Sequence, residues 1–418
     1  MSETVSLNPH PLPYLTADLP GVGGCIKQTP EDFAVDEIPA YEPSGEGTHV
    51  YFRVVKRGVP THAAVDRIAR QMGVRSSDIG FAGLKDAQAV TRQWMSLEHA
   101  DEQQLASYRD AQVHVETTSR HTNKLRTGHL RGNRFDVRIR GVEGGCQPAA
   151  RAILDVLAAR GVPNFFGQQR FGLRNDTAEL GAALLTGDRE RFVALLLGGP
   201  QADDPPDCRA AREAFDLGHY DRAMKRWPRH YANERKALAA FKRSKKAGPA
   251  IAAVDKRMRR LYVSACQSAL FNRVLARRIG EIDRVRLGDL ARKTDTGGVF
   301  PVEDLATGQP RAQRQEISPT GPLYGSRANL ATGEPGRIEQ AVPAEVNLPL
   351  YRFDRVGSLK VKGGRRALRF LLGRPDLQTG TDDQGPYLRL TFTAPPGSYA
   401  TIALGELIKP ADDRAAGL

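Results

Sequence analysis

Cysteine is scarce: four in 418 residues, at Cys25, Cys146, Cys208 and Cys266. They are isolated and form no CxxC pair. This excludes a disulfide framework or a zinc cluster and fits a reducing compartment. Long apolar runs are missing too. The longest, such as Val193–Leu197, fall far short of the ~18 residues a membrane span needs. The stretch Met1–Leu15 has neither the basic segment nor the apolar core of a signal peptide. The expectation is a cytoplasmic protein with no membrane partner. The usual cofactor loops are also absent. There is no GxxxxGK[ST] loop, and the glycines at Gly21, Gly23 and Gly24 lack the GxGxxG spacing and a preceding strand. No HxE with a downstream PCxxC, no GxSxG and no HExxH occurs. The nine histidines are dispersed. No metal and no nucleotide cofactor is therefore expected, so any chemistry must be done by side chains alone.

What the chain has in excess is positive charge: 61 Lys and Arg against 48 Asp and Glu, a net +13. The excess is clustered. Asp221–Arg260 holds 14 basic residues against three acids, Thr117–Arg140 seven against one, and Arg355–Arg374 seven against none. One such run would read as a solvated helix face. Three suggest a folded surface that meets a polyanion, and nucleic acid fits best. A membrane surface fits less well, because no cluster is paired with an apolar amphipathic stripe.

The length suggests two or three domains at ~100–200 residues each. A composition with 40% hydrophobic and 26% charged residues is that of a globular chain. Strands are expected at Val50–Arg57, Asn133–Arg140 and Tyr387–Thr393, the last two from strict alternation. Helices are expected from Thr61, taken as an N-cap, to Gly73, and over Pro148–Arg160. Residues 175–280 read as helical, and residues 284–349 as turns with few strands. The pattern is an α+β body drawn from both ends of the chain, with a helical-then-irregular insertion between them.

The most informative segment is Gly80–Leu97, GFAGLKDAQAVTRQWMSL. Asp86 follows a glycine-rich turn. Taken alone, that placement suits an N-cap or Asx-turn residue. A carboxylate held in a pocket beside a cation could instead act as nucleophile or base without a metal. The segment resembles the signature of the TruD family of pseudouridine synthases. Further stretches match that family in order: Lys27–Phe33 with Val35 and Glu37, Pro43–His49, Asn133–Phe135, Pro163–Gly172, Ser264–Asn272, Ser318–Pro322 and Pro396–Thr401.

The resemblance implies an α+β fold. Residues 1–160 and 351–418 would form a pseudouridine-synthase-like catalytic body with a central, mostly antiparallel sheet. Residues 161–350 would form an inserted α+β TRUD domain. It implies cofactor-free isomerisation of uridine in tRNA, at position 13, with Asp86 as the catalytic residue in either role, nucleophile or base. By the same resemblance Phe33, Asn133 and Tyr399 contact substrate, Phe135 stacks on the target base, and Lys27 is the cation beside the aspartate. Without it, Phe33 and Phe135 read as core, Asn133 as a strand-end residue, Tyr399 as a loop aromatic and Lys27 as a solvated charge. The aromatic stretch Phe165–Phe171 reads as scaffold. Here Ala87 and Gln88 follow the aspartate where relatives often carry a charged or bulky residue. The basic insertion would clamp tRNA phosphates, and a monomer is expected. The competing expectations are the same chemistry on another RNA, and a non-catalytic RNA-binding module.

Overall fold

The structure is a computed structural model that describes Leu7, residues 11–353, 359–410 and 416–418, and the backbone of 355–356. Most of the stretch 1–15, and the side chain of Arg355, lie outside the described residues. The chain forms two compact units. One comprises Leu15–Val162 and Phe370–Leu418, the other Pro163–Arg369 with the described residues before Leu15. The division falls at 369/370 because Gly364–Ala367 pairs with Ile317–Leu323 and so stays with the second unit.

In the first unit the strands are β1 (Phe33–Pro39), β2 (His49–Arg57), β3 (Gly80–Phe81), β4 (Val90–Glu98), β5 (Val113–His121) and β6 (Leu130–Arg140). They form one eight-stranded sheet with the C-terminal hairpin Gly373–Asp382 and Gly385–Ala394. The order is Gly373–Asp382, Gly385–Ala394, β6, β1, β4, β2, β5, with β3 on β4. Only β1 and β4 pair in parallel; every other pair is antiparallel. Both ends of the chain thus build one α+β body around a mostly antiparallel sheet.

Two apolar clusters share one face of this sheet. Val50, Phe52, Val54, Met95 and Leu97 pack against Val65 and Ile68 of α1 (Thr61–Met72). Phe33, Val35, Phe135, Val137 and Phe392 pack against α3 (Gln147–Arg160) and the helix Ala400–Ile408; the short α2 is Glu102–Ala106. Between the two clusters runs a polar seam. Residues paired across strands share a face, so the register fixes its members. Lys56 pairs with Thr91, and Thr91 with Val35. One step on along the strands, Glu37 pairs with Asn133 and Gln93 follows Thr91 on the same face. Lys56, Thr91, Gln93 and Glu37 are all buried.

Helix α1 ends as expected, with Gly73 in the left-handed region at φ 67°. Its start differs: Pro60 holds the N-cap position and Thr61 is the first helical residue. Thr61 fails as a cap because its hydroxyl is engaged elsewhere, as described below.

In the second unit the helices Thr177–Thr186 and Lys256–Arg277 cross so closely that a Cβ on Gly181 would lie 2.1 Å from the Tyr262 carbonyl oxygen. The Asn272 side chain accepts from the Phe166 N–H at 2.9 Å and donates to the Phe166 carbonyl at 3.0 Å. The Phe166 ring meets Phe271 edge-on and carries the Arg366 guanidinium at 4.2 Å. Residues 284–349, expected to hold few strands, supply three, Leu290–Lys293, Val299–Pro301 and Ile317–Leu323, to a four-stranded sheet completed by Gly364–Ala367. Its fully paired strand carries Pro319 and Pro322, whose missing N–H groups make such a sequence read as a turn.

The basic clusters divide. Twelve of the 14 cations between Asp221 and Arg260 are exposed. In the other two clusters several cations are internal fasteners and not surface charge. Arg140 grips Asp32 and Asp382. Arg365 chelates Glu339 at 2.7 and 2.8 Å. Arg369, 2% exposed, donates to the Ser318 hydroxyl and the Ala312 and Ile317 carbonyls.

Candidate active site

Asp86 lies in the irregular segment 82–89 between β3 and β4. No helix starts there, and among the described residues no backbone N–H bonds to its carboxylate, so neither the N-cap nor the Asx-turn reading holds. The segment is nonetheless staked at Ala82, Gly83, Lys85 and Asp86. The Gly128 N–H donates to the Ala82 carbonyl at 2.8 Å. The Gln93 amide donates to the Gly83 carbonyl at 3.1 Å. The Lys85 N–H donates to the Thr61 hydroxyl at 3.0 Å, and that hydroxyl lies 3.1 Å from the Gln93 amide oxygen. The Lys85 ammonium donates to Glu37 Oε2 at 2.6 Å, both side chains being almost wholly buried. Glu37 Oε1 accepts the Trp94 N–H at 3.2 Å. Finally, Lys56 Nζ donates to the Asp86 carbonyl at 2.6 Å. Burial pulls the Lys56 ammonium down to about 8; the nearby Lys85 charge acts in the same direction and the Asp86 charge opposes it.

These anchors hold the main chain and leave the Asp86 carboxylate available. Its polar neighbour is Lys27, with Nζ 3.6 Å from Oδ1. Lys27 is set in the left-handed region at φ 59°, uncommon for a side chain of this size. Its ammonium sits 4.5 Å above the Phe33 ring. Lys27 is 7% exposed and Asp86 31% exposed at their side chains. The aspartate is the open member of an otherwise closed group.

The structure brings some of the expected site residues together and sets others apart. Lys27, Phe33 and Asp86 form one contact chain. Phe33 meets Phe135 edge-on at 6.0 Å, and the strand register sets Asn133 opposite Glu37. The Asn133 Oδ1 is buried without a partner among the described residues, an arrangement costly unless something supplies a donor. Tyr399 precedes the helix Ala400–Ile408, whose residues share the core of Phe33 and Phe135. Phe135 does not offer an open ring face. It is 6% exposed and stacked on Phe392 at 5.1 Å, because three aromatics from adjacent strands pack face and edge beneath the seam. Phe33 is equally buried.

Sequence reasoning missed Lys56, Thr61 and Gln93 as parts of the site and gave Glu37 and Lys85 no role. One signal was present. In VYFRVVKR, Lys56 has the same parity as Phe52 and Val54, so a lysine stood at an inward position of an apolar strand. Among the described residues no group of three or more His, Cys, Asp or Glu is placed to hold a metal ion, and no helix is long and apolar enough to cross a membrane. The four cysteines are free thiols.

Comparison with known proteins places this geometry in a family. The profile of tRNA pseudouridine synthase D (TruD) matches residues 11–407. A tRNA pseudouridine synthase D from Geobacter sulfurreducens is 44% identical over 401 residues, covering 96% of this chain and 97% of the relative. One from Anaeromyxobacter dehalogenans is 41% identical over 400 residues, covering 95% and 96%. The crystal structure of a TruD candidate from Methanosarcina mazei superposes with a TM-score of 0.81 at 27% identity, covering 95% of this chain and 96% of that one.

Proposed function

The chain belongs to the tRNA pseudouridine synthase D family, and from that premise we propose that Asp86 is the catalytic carboxylate and uridine 13 of tRNA its target. The protein is an isomerase that converts uridine to pseudouridine in tRNA. The bond between uracil N1 and ribose C1′ breaks, the base turns over, and C1′ bonds to C5. The C5 proton leaves and N1 gains one, so the product is an isomer and no redox partner is consumed. Asp86 either attacks the sugar or removes a proton from it, and both routes require one reactive carboxylate held against the everted nucleotide.

The observation that carries this reading is the contrast at the seam. Asp86 is partly open while Lys27, Lys85, Glu37 and Lys56 are closed around it. A fixed main chain with one free carboxylate is the preorganised geometry that such chemistry needs. In the proposal, Lys27 sets the charge beside Asp86 and Phe33 supports Lys27. Phe135 forms the floor beneath, and the Asn133 Oδ1 accepts the uracil N3–H. Tyr399 contacts the target nucleotide as the family motif implies. The second unit is the inserted TRUD domain, whose exposed cations take tRNA phosphates. None of these steps calls on a metal or a nucleotide cofactor. The protein acts as a monomer in the cytoplasm.

The test is carbodiimide mapping of pseudouridine in tRNA treated with purified wild type or Asp86→Asn. The variant is expected to lose turnover by more than ~10³-fold while its affinity for tRNA stays within about threefold of wild type. Modification at the wild-type rate would remove Asp86 from the chemistry, and modification confined to other positions would remove uridine 13.

A further inference from the structure

Lys56 is accounted for neither by packing nor by ion pairing. Its side chain is fully buried, yet among the described residues its hydrogen-bond partner is a neutral amide carbonyl, that of Asp86. The other two seam lysines each face a carboxylate: Lys85 has Glu37 and Lys27 has Asp86. The buried group therefore carries three ammonium groups against two carboxylates. An unpaired buried charge is costly, and an apolar residue of similar length would fill the same space without that cost. A charge kept there against stability acts on what it touches. It touches the backbone of the residue whose side chain must be aimed.

We propose that Lys56 is a positioning residue for Asp86. Its ammonium clamps the Asp86 carbonyl while the Thr61 hydroxyl clamps the preceding peptide, so that the carboxylate is held facing Lys27 with no hydrogen bond spent on the carboxylate itself. The two clamps come from consecutive elements, the end of β2 and the first turn of α1, and lie five residues apart in the chain. A loop carboxylate misplaced by ~1 Å can lose ~10²-fold in rate, which is the scale the clamp must protect. The charged groups acting on Lys56 are Asp86 and Lys85 of the clamped loop; Glu37 holds the Lys85 ammonium and Lys27 stands beside the Asp86 carboxylate, and the register partner of Lys56 on β4 is Thr91. As its proton is lost with rising pH, near 8, the charge-assisted bond becomes a weaker neutral one, and turnover should decline over the same range.

This inference rests on Asp86 being the catalytic residue, and the experiment separates the two. Steady-state kcat and KM for tRNA, melting temperature, and kcat from pH 7 to 9.5 are measured for wild type, Lys56→Met, Lys56→Arg, Thr61→Val and Asp86→Asn. For Lys56→Met the expected result is a ~10²-fold fall in kcat, a KM within about threefold of wild type, an undiminished melting temperature and no decline specific to pH 8. Lys56→Arg should recover at least tenfold of the lost kcat. Thr61→Val should lose about tenfold in kcat at constant KM. A folded Lys56→Met with wild-type kcat overturns the inference, as does a loss carried by KM alone. If Lys56→Met does not fold, wild-type kcat in Thr61→Val overturns it. An active Asp86→Asn would instead overturn the underlying assignment.

Discussion

A carboxylate that must react cannot be held by the bonds that would hold a structural one, and the two acids of the seam show the difference. Glu37 spends both oxygens, one on the Lys85 ammonium and one on the Trp94 N–H. Asp86 spends its carbonyl and keeps its carboxylate, apart from Lys27 at 3.6 Å. Removing Glu37 leaves the Lys85 ammonium buried and unpaired, so Glu37→Ala should destabilise by about 3–5 kcal/mol. For a unit of this size that lowers the melting temperature by roughly 6–20 °C, readable by calorimetry. A Glu37→Leu/Lys85→Met double variant should regain much of that stability without regaining turnover; equal stability of wild type and Glu37→Ala would show that the pair holds nothing. These partners explain what was illegible in the sequence. Thr61 reads as a helix cap because a hydroxyl before an amphipathic run usually is one, but its partner lies 24 positions away. Lys85 carries no local signal of its role, its acid being 48 positions distant. Asp86 was legible only through family resemblance, since nothing local distinguishes it from a turn residue.

Elements were legible where burial is one-sided. β6 alternates because Phe135, Val137 and Ile139 enter the core while Arg134 and Arg138 stay outside, and the expected strand falls within the observed one. The Pro-bearing strand Ile317–Leu323 was not legible: it pairs with Leu290–Lys293 through residues 317–319 and with Gly364–Ala367 through residues 320–323, and it is buried nearly throughout. The ion pairs at the edge of the first sheet give a pH test at this scale. Asp382, in the C-terminal hairpin, accepts from Arg138 and from both terminal nitrogens of Arg140 on β6. The Arg140 hydrogen bonds hold its carboxyl down at about 2. A depressed folded-state value means that the contribution is present above the ordinary aspartate range of ~3.9 and is lost as pH falls toward 2. The melting temperatures of wild type and Asp382→Asn should therefore differ by a constant amount between pH 5 and 7 and converge between pH 4 and 2. A gap that widens on acidification would contradict this linkage.

At the scale of the whole molecule, net charge pointed to a polyanionic partner, but it could not say which cations are free to meet one. The structure sorts them. Arg140, Arg365 and Arg369 are consumed inside the units, whereas Arg243, Lys246 and Arg257 stand exposed with no ion pair among the described residues. If these three take phosphates, each neutralised contact contributes about 0.7–0.9 to the slope of log affinity against log salt. Arg243→Gln/Lys246→Gln/Arg257→Gln should then flatten that slope by about 2 to 3 and weaken tRNA binding at low salt far more than at high salt. Because Asp86 and its anchors belong to the other compact unit, kcat at saturating tRNA should stay within about twofold of wild type. Filter binding at several salt concentrations, with turnover measured in parallel, distinguishes the outcomes. An unchanged slope would make this strip a solubilising face, and a fall in kcat at saturation would mean that the cations reach the chemistry and do more than hold the substrate.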